Sequence, residues 1–250
     1  LGLLADGWIG AMPLGAPPRP FGVATDRNGR VLELPMTDDN VNVAAMYRGT
    51  LHGMPVINGY AGYVPPTAVV IDWALRRHDP SILTELRRGH PLYVAVATGR
   101  EAPAWTAFMD AQHDVELLGV SGAGRLYRLP PSGYARPVTV GPALTPAKTG
   151  GNAEWLNADL GSVQRIRAVA LRTRGHVPLL PQTLRVETSL DGVSWTLAAD
   201  EPPGGLALAG ALEEPLIVPI RIILPDVRAR YVRMNAPNFF PWQLVAYGPS

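Results

Sequence analysis

Two segments of the chain carry side chains suited to holding a sugar. Recognition of a sugar ring requires a flat apolar surface for its C–H face and planar polar groups for its hydroxyls. Residues 173–182 follow an arginine and contain a second arginine and a histidine, and residues 235–242 read NAPNFFPW. The candidate residues are Arg172, Arg174, His176, Asn235, Asn238, Phe239, Phe240 and Trp242. The alternative is that the aromatic side chains plug one end of the fold and the arginines are solvated.

A second group of polar side chains lies in the first half of the chain. His52 stands just before the segment that contains Asn58, Tyr60 and Tyr63. These four side chains could surround one polar pocket that faces a glycan. The alternative is a hydrogen-bonded structural histidine, with the tyrosines packing an edge of the fold.

No combination of residues indicates catalysis. A serine nucleophile needs a histidine within reach, and the chain has no GxSxG turn. Ser121 lies in a short predicted hairpin turn, and no phosphate-binding glycine loop or HExxH motif is present. The acidic pairs Asp38-Asp39 and Glu213-Glu214 fall in predicted loops, where solvation is the ordinary explanation. We therefore expect no catalytic residue and no metal ligand, and no enzymatic turnover from this chain alone.

The composition excludes several classes of binding partner and of chemistry. The chain has 250 residues, of which 47% are hydrophobic and 17% charged, and this describes a folded protein. The net charge of +1 and the single lysine, Lys148, disfavour nucleic-acid binding. Because cysteine is absent, disulfides, thiolate nucleophiles and cysteine-bound metals are excluded.

The clearest local structure is a β-hairpin in the second half. Residues 184–190 alternate apolar and polar side chains, which is the period of a half-buried strand. Asp191-Gly192 then supplies a tight turn, and the extended pattern resumes through Trp195. Alternating strands are also predicted upstream, within residues 155–172, and downstream, within residues 229–248.

These segments resemble the discoidin, or galactose-binding-like, family over about residues 137–250. The resemblance is carried by Asp159-Leu160-Gly161, Ile166, Ala168 and Ala170, Ser189-Leu190-Asp191-Gly192 with Trp195, and Arg230-Tyr231-Val232-Arg233. It implies a jelly-roll β-sandwich that binds sugars, lipids or proteins in loops at one end, or braces an enzyme. Relatives often hold a structural calcium near the first strands. Here residues 145–151, TPAKTGG, replace the acidic loop, so we expect no cofactor.

The first half predicts an α/β domain with a small mixed sheet. Strands are predicted at 31–36, 55–63, 92–97, 115–120 and 125–129, and helices through 43–47, 66–77, 81–88 and 103–113. The Pro-Pro-Ser-Gly sequence at 130–133 predicts the domain boundary. We therefore expect an arm and linker at 1–20, an α/β domain at 21–132 and the sandwich at 133–250, with two separate cores.

The first half also resembles a known family. LELP at 32–35, MYR at 46–48 with HGMP at 52–55, and NGYAGYVPP at 58–66 are similar to the soluble C-terminal region of bacterial multispanning membrane glycosyltransferases that use lipid-linked sugar donors. The resemblance implies a position outside the cytoplasmic membrane, after the last membrane helix. Residues 1–9 would then be the end of that helix, with Trp8 at the interface. The alternative is a mobile arm that covers part of the core.

Together these patterns predict a non-catalytic, extracytoplasmic (periplasmic) C-terminal region of a membrane glycosyltransferase-like protein. Its sandwich would bind carbohydrate or brace the fold, and a missing N-terminal region would connect it to the membrane. One alternative is a fragment of a secreted carbohydrate-active enzyme with an attached carbohydrate-binding module, whose catalytic residues would lie within 1–129. Another is a purely structural adhesion module.

Overall fold

The computed structural model describes residues 18, 28–36, 39–59, 64–133, 140–174, 177–236 and 242–250. The helices are α1 (Asp39–His52), α2 (Pro66–Arg76), α3 (Ser81–Leu86), α4 (Ala102–Asp110) and α5 (Pro203–Glu213). The strands are β1 (Arg30–Leu34), β2 (Leu92–Ala97), β3 (Glu116–Ser121), β4 (Gly124–Leu129), β5 (Ala143–Leu144), β6 (Lys148–Gly151), β7 (Leu156–Arg172), β8 (Leu184–Ser189), β9 (Thr196–Glu201), β10 (Pro219–Met234) and β11 (Gln243–Tyr247). The predicted arm at 1–20 lies outside the described residues, apart from Pro18.

The first region, which we call the α/β region, contains a four-stranded mixed sheet in the order β1-β2-β4-β3. Strands β1 and β2 are parallel, and the other pairs are antiparallel. Strand β2 is buried over its first five residues, as its continuous apolar sequence predicts. The small mixed sheet expected from the sequence is confirmed.

The strand predicted at 55–63 is wrong over its described residues. Only Val56 forms an isolated bridge, to Val31 of β1. The backbone of Val31 donates to Pro55 and accepts from Ile57, and the pairing stops there. Pro55 cannot donate a hydrogen bond, so it cannot extend a ladder along the edge of β1.

The second region, which we call the sandwich, is an antiparallel sheet wrapped on itself in the order β5-β11-β7-β10-β8-β9, with β6 also paired to β7. Strands β7 and β10 contain 17 and 16 residues. Register shifts interrupt their pairing between Ile223 and Val227 and between Ala229 and Tyr231. Such bulges bend a strand and increase its twist, so these two strands can contribute to both faces of the fold.

The predicted hairpin forms from β8 and β9. Gly192 has a φ of +80°, which a residue without Cβ adopts readily. The Asp191 carboxylate accepts backbone N–H groups from Val193 and Ser194, each at 2.8 Å. These hydrogen bonds, the bond to Ser194 first, lower the pKa of Asp191, so this turn stays negatively charged in neutral water.

Helix α5, inserted between β9 and β10, is not predicted by the sequence reading. Its N-cap is Pro202, which has no side-chain acceptor. The α/β region supplies one instead: the Asp79 carboxylate accepts the N–H of Gly204 at 2.7 Å, and the Ser81 hydroxyl accepts the N–H of Gly205 at 2.8 Å. A Cβ on Gly204 would lie 2.6 Å from Asp79 Oδ2, so the close approach requires glycine.

The packing around α5 corrects the expectation of two separate cores. One cluster of buried residues runs from both sheets through the helices between them, including Ala74 and Leu83 of the α/β region and Ala207 and Leu208 of α5. Because apolar burial is the main stabilising term, the two regions stabilise each other. The domain boundary at residues 130–133 remains a prediction. The cluster of buried residues contains side chains from both sides of it. Within the described residues no helix is long and apolar enough to span a membrane.

Candidate functional site

A pocket of about 460 Å³ lies at one end of the sandwich. Strands β5, β6, β7 and β11 all contribute to its walls through Leu144, Thr149, Gly150, Leu156, Asn157, Trp242, Gln243, Leu244 and Val245. Leu156 begins β7, and Gln243 pairs with Arg172 at the end of the same strand. β7 therefore lines the pocket at its start, and its other end adjoins the pocket through Gln243. We call this pocket the end pocket.

One of the predicted sugar-binding residues lines the end pocket, and two others lie at the end of β7 or just beyond it. Trp242 forms part of its wall and is only 5% exposed, so its ring belongs to the core as well. Arg172 lies opposite Gln243, and its Nε is buried without a hydrogen-bond partner within the described part of the chain. Arg174 is exposed two residues further on and has a φ of +50°, which is unusual for a residue with a side chain.

Asn235 makes hydrogen bonds within the protein. Its Oδ1 accepts the backbone N–H of Arg185 at 2.6 Å, and its Nδ2 donates to the carbonyl of Thr183 at 3.0 Å. These bonds tie the end of β10 to the start of β8. The other candidates in this group, His176, Asn238, Phe239 and Phe240, lie outside the described residues.

Sequence reading missed three polar residues of the end pocket: Thr149, Asn157 and Gln243. Asn157 is notable because its Oδ1 is buried and has no hydrogen-bond partner within the described residues. Leaving a buried acceptor unpaired costs free energy, so such a group is a candidate for a ligand contact. The signal available in the sequence was Asn157 itself, a polar residue within the WLNADLG motif of residues 155–161.

The second predicted group lies around a buried ion pair that the sequence reading did not assign. Glu33 is fully buried, and both of its carboxylate oxygens accept from the guanidinium of Arg48. Asn58 accepts the N–H of Glu33 at 2.7 Å and donates to the Glu33 carbonyl and to Asn42 Oδ1. The hydrogen bonds of Asn58 are therefore made within the protein. The sequence signal was a carboxylate in the apolar strand VLELPM.

His52 lies at the edge of this ion pair. Its Nδ1 accepts the N–H of Met54 at 3.1 Å, so its proton is on Nε2, which is buried without a partner within the described part of the chain. Burial lowers the pKa of His52, opposed by the charge of Glu33 and aided by that of Arg48. His52 is therefore neutral at pH 7. Tyr60 and Tyr63 lie outside the described residues.

Among the described residues, no group of three or more histidine, aspartate or glutamate side chains could hold a metal ion. The segment 145–151, where relatives of the discoidin type often carry acidic ligands, contributes Thr149 and Gly150 to the end pocket. Asp159, the nearest carboxylate in the ladder, pairs with Lys148 across the strands and with the guanidinium of Arg230. These partners, the Arg230 hydrogen bond first, lower the pKa of Asp159.

Residues 143–246 match the F5/8 type C domain family. Together with the described strands, this match shows a galactose-binding-like β-sandwich behind a mixed α/β region and confirms the discoidin resemblance. No curated protein matches the chain.

Several solved structures are similar to the sandwich. A chitosan-binding module from a chitosanase/glucanase of Paenibacillus sp. IK-5 is 19% identical, with 40% of this chain and 74% of that chain covered and a TM-score of 0.27. CpGH89CBM32-5 from Clostridium perfringens, in complex with GalNAc-β-1,3-galactose, is 8% identical, with 38% and 64% covered and a TM-score of 0.26. CBM32-1 from a family 31 glycoside hydrolase of Clostridium perfringens is 12% identical, with 40% and 72% covered and a TM-score of 0.29.

Proposed function

We propose that the sandwich is a carbohydrate-binding module and that the end pocket holds the sugar. The observation that supports this most directly is the meeting of two side-chain amides, Asn157 and Gln243, with the Thr149 hydroxyl on one pocket beside Trp242. The volume of about 460 Å³ is within the range of small-molecule sites. Among the described residues that line it there is no acidic or basic side chain, so a neutral sugar fits its chemistry.

The pairing of polar groups in the pocket suits neighbouring hydroxyls. A side-chain amide presents one acceptor and two donors in a plane, so it can bind two hydroxyls of one ring. Asn157 Oδ1 has no hydrogen-bond partner among the residues that the structure describes, and Gln243 is exposed at the rim. Arg172, which pairs with Gln243 of the rim, would add a donor to hydroxyls that extend past the pocket. A ligand would thereby satisfy groups that the fold leaves without partners.

Around this module we propose the context that the sequence resemblance implies. The chain would be a non-catalytic, extracytoplasmic region of a membrane glycosyltransferase-like protein, with the α/β region between the sandwich and the membrane. A module attached to a secreted carbohydrate-active enzyme is the second candidate, and the F5/8 type C match of residues 143–246 is compatible with it. Sequencing upstream of Leu1 separates the two, because several apolar segments of about 20 residues support the first.

The test of the sugar site is a glycan array followed by calorimetry on the best glycan. We expect the chain to retain a neutral glycan, and Asn157→Ala and Gln243→Ala each to weaken binding about five- to tenfold, the worth of one hydrogen bond. Gln112→Ala is the matched control, since this amide lies in the α/β region and bonds to the Phe108 carbonyl. Equal losses from Gln112→Ala and Gln243→Ala, or no retained glycan, would contradict the proposal.

Phe239 and Phe240 provide a further check on the same proposal. If they stack on the sugar, Phe239→Ala and Phe240→Ala keep the melting temperature and lose retention on the array. If they plug the end of the sandwich, the same changes destabilise it by about 3–5 kcal/mol, as truncation of a buried phenylalanine does.

A further inference from the structure

Three arginines lie on one face of the sandwich. In the register of β7 and β10, Arg165 stands directly opposite Arg228. Arg167 follows two positions along β7 and so projects from the same face as Arg165. Two like charges opposite each other in an antiparallel pair destabilise a sheet. Their presence here needs a compensating partner.

The fold supplies only part of that compensation. The Asp226 carboxylate pairs with Arg165, and the Arg167 guanidinium donates to the carbonyl of Leu224 at 3.1 Å. Arg228 is exposed, and no salt bridge joins it to any described residue. The carboxylates near these three guanidinium groups are Asp226 and, beside Arg228, Asp191, which leaves one positive charge unbalanced among the described residues. The arginines, the Arg165 hydrogen bond first, lower the pKa of Asp226, so this carboxylate stays charged and the count holds at neutral pH.

Arg165 and Arg228 border two adjoining depressions. The larger, of about 720 Å³, is lined by Gln164, Arg165, Asp226 and Arg228 together with Pro142, Pro249 and Leu144. Leu144 also lines the end pocket, so the two sites adjoin. The smaller, of about 350 Å³, is lined by Thr188, Ser189, Ser194, Thr196 and Asp191 and again by Arg228. Arg228 is thus shared between a cationic depression and one rich in hydroxyl groups. An extended ligand could occupy both.

We propose that this surface, which we call the arginine cleft, binds an acidic saccharide such as a uronate-bearing polysaccharide, at a site separate from the end pocket. A uronate ring carries one carboxylate beside several hydroxyls, which matches one unpaired guanidinium beside serine and threonine hydroxyls. A guanidinium holds a carboxylate through two parallel hydrogen bonds. The carboxylates of Asp226 and Asp191 would repel a densely charged polyphosphate. A polysaccharide with one carboxylate on each ring has a lower charge density and is repelled less.

The test compares polygalacturonate with its methyl ester, which has the same sugar and linkage without the charge. We expect the chain to bind polygalacturonate and the methyl ester to bind at least about tenfold more weakly, the worth of one charged hydrogen bond. Arg228→Gln should lose about tenfold in affinity for polygalacturonate. Arg185→Gln, which removes an exposed arginine that pairs with Glu187 elsewhere on the sandwich, should not.

The outcomes distinguish this proposal from the sugar site of the end pocket. Gln243→Ala should leave polygalacturonate binding unchanged, and Arg228→Gln should leave neutral-glycan binding unchanged. Equal binding of the polymer and its methyl ester, equal effects of Arg228→Gln and Arg185→Gln, or binding to phosphatidylglycerol vesicles in place of the polymer would overturn the arginine cleft. Loss of polygalacturonate binding in Gln243→Ala would mean one site in place of two.

Discussion

Arg48 in the α/β region and Arg228 in the sandwich occupy opposite settings. Arg48 is buried, and its guanidinium pairs with both oxygens of the buried Glu33. Arg228 is exposed, faces another arginine across the strands and has no salt bridge to a described residue. The guanidinium of Arg48 is paired within the protein, whereas the guanidinium of Arg228 is accessible to a ligand.

The same difference runs through the amides of the two regions. Asn58 makes its hydrogen bonds to Glu33 and Asn42, while Asn157 leaves its Oδ1 unpaired within the described residues. A polar group that the fold satisfies contributes stability, and one that it leaves unpaired costs stability unless a ligand binds. Asn58 is therefore a structural residue, whereas the Oδ1 of Asn157 is a candidate for a ligand contact.

The largest expected effect is the loss of the buried arginine. Arg48→Met leaves the carboxylate of Glu33 buried and unpaired, which should lower the free energy of unfolding by about 3–5 kcal/mol in urea titrations. The double variant Glu33→Leu with Arg48→Met removes both charges and should recover most of that loss. If Arg48→Met were as stable as the original chain, the ion pair would not contribute to stability as proposed.

The next effect concerns the contact between the regions. Asp79→Ala removes the acceptor of the Gly204 and Ser81 N–H groups, and we expect a loss of about 2–3 kcal/mol. We also expect calorimetry to show one unfolding transition for the original chain and two for the variant. Leu212→Ala, on the exposed side of α5, is the control and should change stability by less than about 0.5 kcal/mol. Two transitions in the original chain would mean that the regions unfold independently.

A small change of opposite sign is expected at the arginine cleft. Because Arg228 stands opposite Arg165 and forms no salt bridge with a described residue, Arg228→Gln relieves repulsion and should raise the free energy of unfolding by no more than about 0.5 kcal/mol. Urea titration at low salt measures this best, since salt screens exposed charges. A loss of more than about 1 kcal/mol would place Arg228 among the structural residues instead.

The smallest effect is the pH dependence from His52. Its pKa is lowered by burial, so the unfolded chain takes up the proton first as the pH falls below the ordinary value of 6.5. The stability that neutral His52 contributes is therefore complete above that pH and declines below it. His52→Asn keeps an acceptor for the Met54 N–H and should remove this part of the decline. Urea midpoints at pH 7.5 and 5.5 test it, and identical pH dependence in both proteins would contradict it.

Local patterns predicted the parts of the fold that depend on neighbours in sequence. The alternation of residues 184–190 and the Asp191-Gly192 turn were sufficient for the β8–β9 hairpin, and the apolar run of β2 was sufficient for a buried strand. Helix α5 was missed because its glycines are weak helix formers, and its first N–H groups are capped by Asp79 and Ser81 from far along the chain.

The candidate site was predicted only in part for a similar reason. The start of β7 meets the start of β11 at the end pocket, although β11 pairs with the other end of β7. Hydrophobic alternation does not show which distant strand segments will meet. Arg172 and Trp242 were predicted from their side-chain chemistry. Asn157 and Gln243 became candidates only because the structure places them in the wall of the end pocket. Glu33 was visible as a charge in an apolar strand, but its partner Arg48 is set by the packing of α1.

The cap on α5 also has a consequence for synthesis on the ribosome. Asp79 precedes its partner Gly204 by 125 residues. At a translation rate of about 5–20 residues per second, α5 is synthesised roughly 6–25 s after Asp79, and until then it cannot pack on α2 and α3. During that interval Ala74 and Leu83 lack the apolar side chains of α5 that later cover them. Variants truncated before residue 203 should therefore aggregate or bind chaperones that recognise exposed apolar surface. The full chain should do neither.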